Sequence, residues 1–474
     1  MTERDDLLKR TAELAAGFLD RLPDRPVWPA VDLAELRTTL GGLLPDQGED
    51  PLQVIESLSA EAEQGLVGSA GPRYFGFVVG GGVPAALAAD WLTSAWDQNA
   101  GLYALSPSAA VAEEVAGAWL IDVFGLPESS SVGFVTGATM ANFTAIAAAR
   151  HAVLERTGWN VEEDGLVGAP PIAVVVGDEA HVTIFVSLQM LGLGRARVHR
   201  VAADEQGRMR ADALRETLAR IDGPTIVCAQ AGNVNTGAFD PLPEIVAAVR
   251  ERPNAWLHVD GAFGLWAAAV PELRDRVNGL ADADSWTTDA HKWLNVPYDS
   301  GIVVVRDVAA HHAAMTLGAA YYVETAGGER DNYNWVPESS RRARGFAIYA
   351  ALRSLGRSGL ADMIDRCCIL ARRMADGLRG EPGVTILNDV VLNQVLVRFD
   401  PPGGGDTDAF TRAVIAAVQA DGTCWLGGTT WHGLAAMRIS VSNWSTTEAD
   451  ADMSVEAILR CARTAADARA ATAG

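Results

Sequence analysis

Two stretches decide the fold: Trp256-Leu-His-Val-Asp260-Gly-Ala262 and, one strand–helix–strand unit further on, Ser285-Trp-Thr-Thr-Asp289-Ala-His291-Lys292-Trp293. Each is an apolar run that leads into ionisable side chains. The carboxyl ends of the strands in a parallel sheet line the ligand crevice, so Asp260 and Lys292 would enter one crevice from neighbouring strands. A buried carboxylate there is costly unless it faces a cation; a helix cap or a salt bridge is the ordinary alternative. Lys292 carries a second signal. Lysine occurs only at Lys9 and Lys292, and the remaining basic residues of this class are arginines. Arginine serves wherever only positive charge is needed, but it cannot form a Schiff base or act as a base. Lys9 lies in the charged start of an amphipathic helix. Lys292 has no such setting and is a candidate for amine chemistry.

From about residue 84 to 310, apolar runs alternate with helical segments, at 132–136, 172–177, 197–201, 225–229, 256–260, 285–288 and 302–306. Strands that are apolar on both sides and separated by helices predict a mostly parallel sheet covered on both faces. The expected organisation is an N-terminal helical segment (1–83), a large α/β domain (84–345) and a smaller α+β C-terminal domain (346–474). Helical spacing recurs at 4–20, 31–40 and 52–64 in the first part. In the last, helices at 346–356, 359–379, 407–421 and 447–467 flank strands at 393–399 and 436–441. The polar stretch 319–342 is too long for a routine connection and is expected to be a functional loop.

Composition narrows the function. The 474 residues carry 38 Lys plus Arg against 60 Asp plus Glu, a net charge of −22. Such a field repels phosphate backbones and argues against nucleic-acid binding. Five cysteines without CxxC spacing suggest neither a disulfide framework nor a zinc cluster. His258 shares a face with Asp260, but no third ligand accompanies them, so no metal site is expected. The N-terminus lacks a signal-peptide pattern, and no apolar run reaches the ~18 residues of a membrane span. The expected compartment is the cytoplasm, with no membrane partner.

Further motifs converge on the same crevice. Val132-Gly-Phe-Val-Thr136 runs into Gly137-Ala138-Thr139 and then a helical stretch. Free N–H groups and the helix dipole make such a turn an anion site, although it also suits a plain connection with Thr139 as N-cap. The Gly-Lys-Ser/Thr ending of a Walker loop is absent, and Gly192-Leu-Gly194 lacks the third glycine of a dinucleotide fingerprint. Asp178-Glu-Ala-His181 brings a flat imidazole to the end of another strand, or simply into the first turn of a helix. A lysine, a carboxylate and a phosphate site together meet the needs of pyridoxal phosphate, whose aldehyde, ring nitrogen and phosphate require those three groups.

At these residues the chain resembles the group II pyridoxal-phosphate-dependent amino-acid decarboxylases, the aromatic-amino-acid and glutamate decarboxylase-like enzymes of the aspartate-aminotransferase fold (fold type I). The likeness runs from roughly residue 70 to 445 and includes Pro72–Phe77, Ser106-Pro107, Thr136–Asn142, Asp178–His181, Gly237–Asp240, His258–Ala262 and His291–Trp293. The resemblance implies that Lys292 holds the cofactor and Asp260 its ring nitrogen. His181 would stack on the ring, with Ala262 on the other side. Gly137, Ala138 and Thr139 would take the phosphate, helped by His291. It also implies a homodimer with an interfacial active site, to which Asn99 contributes from the neighbouring subunit or the pocket wall.

The resemblance implies decarboxylation of an L-amino acid to its amine, with Lys292 and His181 as catalytic groups. Asn233-Val234 depart from the family's threonine pair, and Asp289 from its asparagine. Family decarboxylases carry a tyrosine on a mobile loop that reprotonates the intermediate; Tyr333 lies near the matching place, with Tyr321 and Tyr322 next in line and a Gly327-Gly328 pair to permit motion. Relatives with phenylalanine there make aldehydes oxidatively. Aldehyde synthesis, carbon–carbon lysis and transamination are thus alternatives on the same cofactor. Phe77, Val78 and Val79 suggest an apolar substrate wall, whereas Asn99, Trp431 and His432 would frame a polar group. Without an added basic cluster, glutamate is disfavoured as substrate.

Overall fold

The computed structural model describes residues 2–316 and 329–473. The central sheet contains β1 (Ser131–Val135), β2 (Ala173–Gly177), β3 (His199–Val201), β4 (Thr225–Gln230), β5 (Ala255–Asp260), β6 (Ser285–Asp289) and β7 (Gly301–Val305), in the order β1-β7-β6-β5-β4-β2-β3. The pairs from β6 to β3 are parallel, whereas β7 runs antiparallel to both β1 and β6. Consequently β1 points the same way as β6, and the carboxyl ends of β1, β2, β4, β5 and β6 share one edge. This is the mostly parallel sheet of the aspartate-aminotransferase-like fold.

Valine- and isoleucine-rich strands suit burial on two faces, and β1, β4, β5, β6 and β7 are buried along their whole length. The helix Ala138–Glu155 shows why the cover is tight. Ala141, Ala145, Ala148, Ala149 and Ala152 are all buried, and their small side chains let the helix lie close against Val135, Val303 and Val305. Strand β6 runs one residue past its expected end, so Asp289 closes the strand and the turn carrying Lys292 starts immediately after it.

Packing divides the chain at other places than 83 and 345. One unit comprises Met1–Val79, Arg372–Leu387 and Val395–Gly474; the other comprises Gly80–Ala371 and Asn388–Gln394. Long-range pairing explains the first. Tyr74 bridges to Trp425 in strand-like fashion, Asn443 Nδ2 donates to the carbonyls of Ala70 and Gly71, and Arg73 pairs with Asp450 at 3.3 Å. The N-terminal helices therefore belong with the C-terminal segments, a relation that local periodicity does not carry. The smaller sheet, β8 (Val384–Ile386), β9 (Gln394–Phe399), β10 (Gly427–Trp431) and β11 (Leu434–Ser440), has the order β10-β11-β9-β8. Strand β10 escaped expectation because glycine and threonine in Gly427-Gly-Thr-Thr-Trp431 give a weak strand signal. The two helices expected at 346–356 and 359–379 are both present within Gly345–Arg379, separated by a break at Gly356, whose φ of 62° only glycine adopts readily.

Candidate active site

The ends of β5 and β6 meet at one edge of the larger unit, where Asp260 pairs in register with Thr287. The turn after β6 folds back so that Lys292 Nζ lies 2.9 Å from Asp289 Oδ2. Oδ1 of Asp289 accepts the Ala138 N–H at 2.6 Å. It thereby caps the helix Ala138–Glu155, whose own N-cap is the side-chain-less Gly137. His291 Nε2 stands 3.5 Å from the same oxygen. Its Nδ1 accepts the Ser300 N–H at 3.1 Å, so the proton of the neutral ring sits on Nε2. Burial lowers the His291 pKa from its ordinary value, which keeps the ring neutral at pH 7. The imidazole stacks on Tyr298, with ring centroids 4.3 Å apart.

Glycine makes this convergence possible. A Cβ at Gly137 would stand 3.1 Å from His291 Cε1 and 3.4 Å from Asp289 Oδ1. Gly301 lies opposite Val135 in β1 and Asp289 in β6, and a Cβ there would collide with the Gly137 backbone. The cradle so formed presents helix N–H groups, Thr139 in the first turn and the His291 Nε2–H, a donor set suited to an anion. A carboxylate already occupies one donor, and its charge is balanced by Lys292. A phosphate fits this cradle if Ala138 exchanges Asp289 for it.

Asp260 is buried and accepts the Ala262 N–H at 3.1 Å and Asn142 Nδ2 at 3.3 Å. Each carboxylate oxygen thus accepts one hydrogen bond, which holds the side chain in a single orientation. His181 caps the helix Val182–Met190, its Nδ1 lying 2.8 Å from Thr183 Oγ1. A small cavity at the ends of β2, β4 and β5 is lined by His181, Cys228, Gln230 and Asp260 among others. Burial first, and Asp260 second, push the Cys228 thiol up to about 12, so it stays protonated.

Other expected residues have different surroundings. Asn233 Oδ1 accepts the N–H groups of Asn235 (2.8 Å) and Thr236 (3.2 Å), so this departure from the family pattern builds a turn. Asn99 Oδ1 accepts the N–H groups of Gly101 (2.9 Å) and Arg341 (3.2 Å). Phe77 belongs to the smaller unit, where it is 62% exposed and packs on Trp425 at 5.6 Å. Tyr333, expected on a mobile loop, has its own surroundings. Tyr333 is 3% exposed in the 3-10 turn Asn332–Trp335, and its N–H donates to the Gly101 carbonyl at 2.9 Å. Asp331 ties the same turn to the Tyr103 N–H at 2.9 Å. Tyr321, Tyr322, Gly327 and Gly328 lie outside the described residues. Sequence reasoning passed over Asn142 as a site residue. Asparagine is a poor helix former, and its place inside an otherwise alanine-rich helix was the available signal.

Known proteins match this arrangement. The model of the pyridoxal-dependent decarboxylase conserved domain matches residues 35–400. An L-2,4-diaminobutyrate decarboxylase of Rhizobium meliloti (strain 1021) is 32% identical over 76% of this chain and 71% of its own length. An aromatic-L-amino-acid decarboxylase of Bacillus atrophaeus is 26% identical over 85% of this chain and 83% of its own length. In fold, the crystal structure of Oryza sativa TDC with PLP and tryptamine superimposes with a TM-score of 0.91, covering 98% of both chains at 22% identity. A domain match that spans the anion cradle, Asp260 and Lys292 alike leaves one conclusion: this chain belongs to the pyridoxal-dependent decarboxylase family, the PLP-dependent carboxy-lyases of amino acids.

Proposed function

We propose that the protein decarboxylates an L-amino acid to its amine with Lys292 as the residue that holds the PLP aldehyde. The observation that carries this reading is the meeting of Lys292, Asp289, His291 and Gly137 at the sheet edge that also ends in Asp260. When bound, PLP supplies an electron sink for the carbanion left by departing carbon dioxide. Asp260 would hold the ring nitrogen. His181 and Ala262 would hold the ring on its two sides. The Ala138 N–H, once released by Asp289, would hold the phosphate together with Thr139 and the His291 Nε2–H. Asp289 keeps the Lys292 ammonium in place at 2.9 Å and can accept a proton from Nζ when the amine is needed as a nucleophile.

Curated relatives act, by name, on aromatic amino acids, on L-2,4-diaminobutyrate and on acidic amino acids. A panel spanning these classes, with carbon dioxide and amine both quantified, tests the reading. Stoichiometric amine and carbon dioxide from one class are expected; an amino group moved to a keto acid would overturn it. Oxidative aldehyde formation is the second reading, supported by the buried, tethered setting of Tyr333. If Tyr333 is the proton donor, it acts from a fixed position, and Tyr333→Phe raises aldehyde and peroxide at the expense of amine. The same reading makes the protein a cytoplasmic homodimer. Trp91, Leu92 and Trp96, more than 40% exposed on the helix Pro84–Trp96, support a subunit contact. Light scattering that returns a monomer mass would remove it.

A further inference from the structure

A polar chain runs through the core of the larger unit to Asp260. Trp256 Nε1–H donates to Ser285 Oγ at 2.9 Å, Ser285 Oγ lies 2.9 Å from His258 Nδ1, and His258 Nε2 lies 3.0 Å from Asn142 Oδ1. The Thr287 hydroxyl donates to the same Oδ1 at 2.7 Å. On its other side, Asn142 Nδ2 meets Asp260 Oδ2 at 3.3 Å and Thr183 Oγ1 at 3.2 Å. Asn142, His258, Ser285 and Thr287 have no solvent exposure. All four hydrogen-bonding capacities of the Asn142 amide are thus used in the dry interior.

The two ends of the chain fix every proton in it. An indole can only donate and an ionised carboxylate can only accept. Asn142 must therefore turn its NH₂ toward Asp260, because the opposite flip sets two acceptors face to face. Its oxygen then faces His258, which must carry its proton on Nε2. His258 Nδ1 is left to accept from Ser285, and Ser285 accepts from Trp256. Burial pushes the His258 pKa down to about 4, so the ring remains neutral and this tautomer persists at working pH. A second branch leaves Asn142. Thr183 Oγ1, having accepted from Nδ2, donates to His181 Nδ1 at 2.8 Å. The Thr183 N–H points to the same nitrogen at 3.4 Å, so His181 carries its proton on Nε2.

We propose that Asn142 is a positioning residue that sets both ring contacts of the cofactor at once, holding Asp260 as an ionised, oriented acceptor and fixing the His181 tautomer through Thr183. The inference rests on Asp260 and His181 being those contacts. It explains why an asparagine sits inside an alanine-rich helix, where it contributes little to helix stability.

The test is a series on the full-length enzyme: Asn142→Ala, His258→Phe, Ser285→Ala and Trp256→Phe, with Asp260→Asn as reference. Three quantities are read at neutral pH: the PLP dissociation constant, the visible absorption band of bound PLP, and the melting temperature without added PLP. Loss of a charge-assisted hydrogen bond predicts roughly 10- to 100-fold weaker PLP binding and a moved band for Asn142→Ala. The effect should decline from Asn142 to His258 to Ser285 and nearly vanish at Trp256. Melting temperature should instead fall most for Trp256→Phe and His258→Phe, which disturb the largest buried volumes. PLP affinity that follows melting temperature, or an Asn142→Ala enzyme with wild-type affinity and band, overturns the inference. Should Asn142→Ala not fold, Ser285→Ala decides: a moved band at unchanged melting temperature supports it, and the converse overturns it. An Asp260→Asn enzyme with wild-type affinity and band would instead sink the assignment of Asp260 itself.

Discussion

The larger unit buries two ion pairs that behave as opposites. Arg341 and Glu113 are joined by two bonds, Nη1 to Oε2 at 2.9 Å and Nη2 to Oε1 at 2.6 Å. Arg341 also donates to the carbonyls of Ala100 and Phe134, each at 3.0 Å. This guanidinium is permanently charged and inaccessible, with four acceptors on its two terminal nitrogens. Lys292 and Asp289 form a pair of similar length, but the lysine side chain retains some exposure and carries a primary amine, which a guanidinium lacks. Asp289 meanwhile divides its oxygens between Lys292 and the Ala138 N–H. A bidentate pair built on arginine is a structural tie. A pair built on lysine beside a glycine cradle is poised for exchange.

The largest expected effect swaps the two kinds of cation. Lys292→Arg keeps the charge beside Asp289 but removes the amine, so melting temperature should hold while carbon dioxide release falls on the order of 10⁴–10⁶-fold. Residual turnover within tenfold of wild type would erase the distinction. Glu113→Ala strands the Arg341 charge in the interior and should destabilise by about 3–5 kcal/mol in urea unfolding. A loss below about 1 kcal/mol would mean that water reaches that pair.

Acid should act through His258. Its folded pKa, lowered by burial to about 4, lies below the ordinary 6.5. The unfolded chain therefore binds a proton that the folded one refuses, and stability present above pH 6.5 is lost as pH falls toward 4. The shift corresponds to about 3 kcal/mol. His258→Gln should flatten the dependence of unfolding free energy on pH across that window, and an unchanged slope would assign the acid lability elsewhere. The smallest effect belongs to Asp289→Asn. It removes a negative charge from the phosphate cradle and should tighten PLP binding by roughly tenfold, about 1.4 kcal/mol. Weaker binding would show that the carboxylate helps to hold the cofactor.

Much of this comparison was legible in the residues. Most strands of the central sheet are buried along their length and are apolar runs in the sequence, and because they pair in parallel the ionisable residues at their carboxyl ends fall along one edge. The rarity of lysine singled out Lys292. What stayed hidden depends on distant partners. The reversal of β7, the union of the N-terminal helices with C-terminal segments, and the convergence of Asn142 with Asp260, His258, Thr183 and Thr287 all require pairings across many residues. The burial of Tyr333 was equally hidden, because its polar neighbours Asp331, Asn332 and Asn334 resemble an exposed loop. In the fold, Asp331 is spent on a backbone N–H and the tyrosine is covered.

The central claim is that Lys292 is the amine of this enzyme. Borohydride reduction of the PLP-loaded protein, followed by peptide mass mapping, tests it directly. The account predicts a single pyridoxyl adduct on the peptide carrying His291-Lys292-Trp293, absent from Lys292→Ala. An adduct on Lys9, or one that survives in Lys292→Ala, would contradict it.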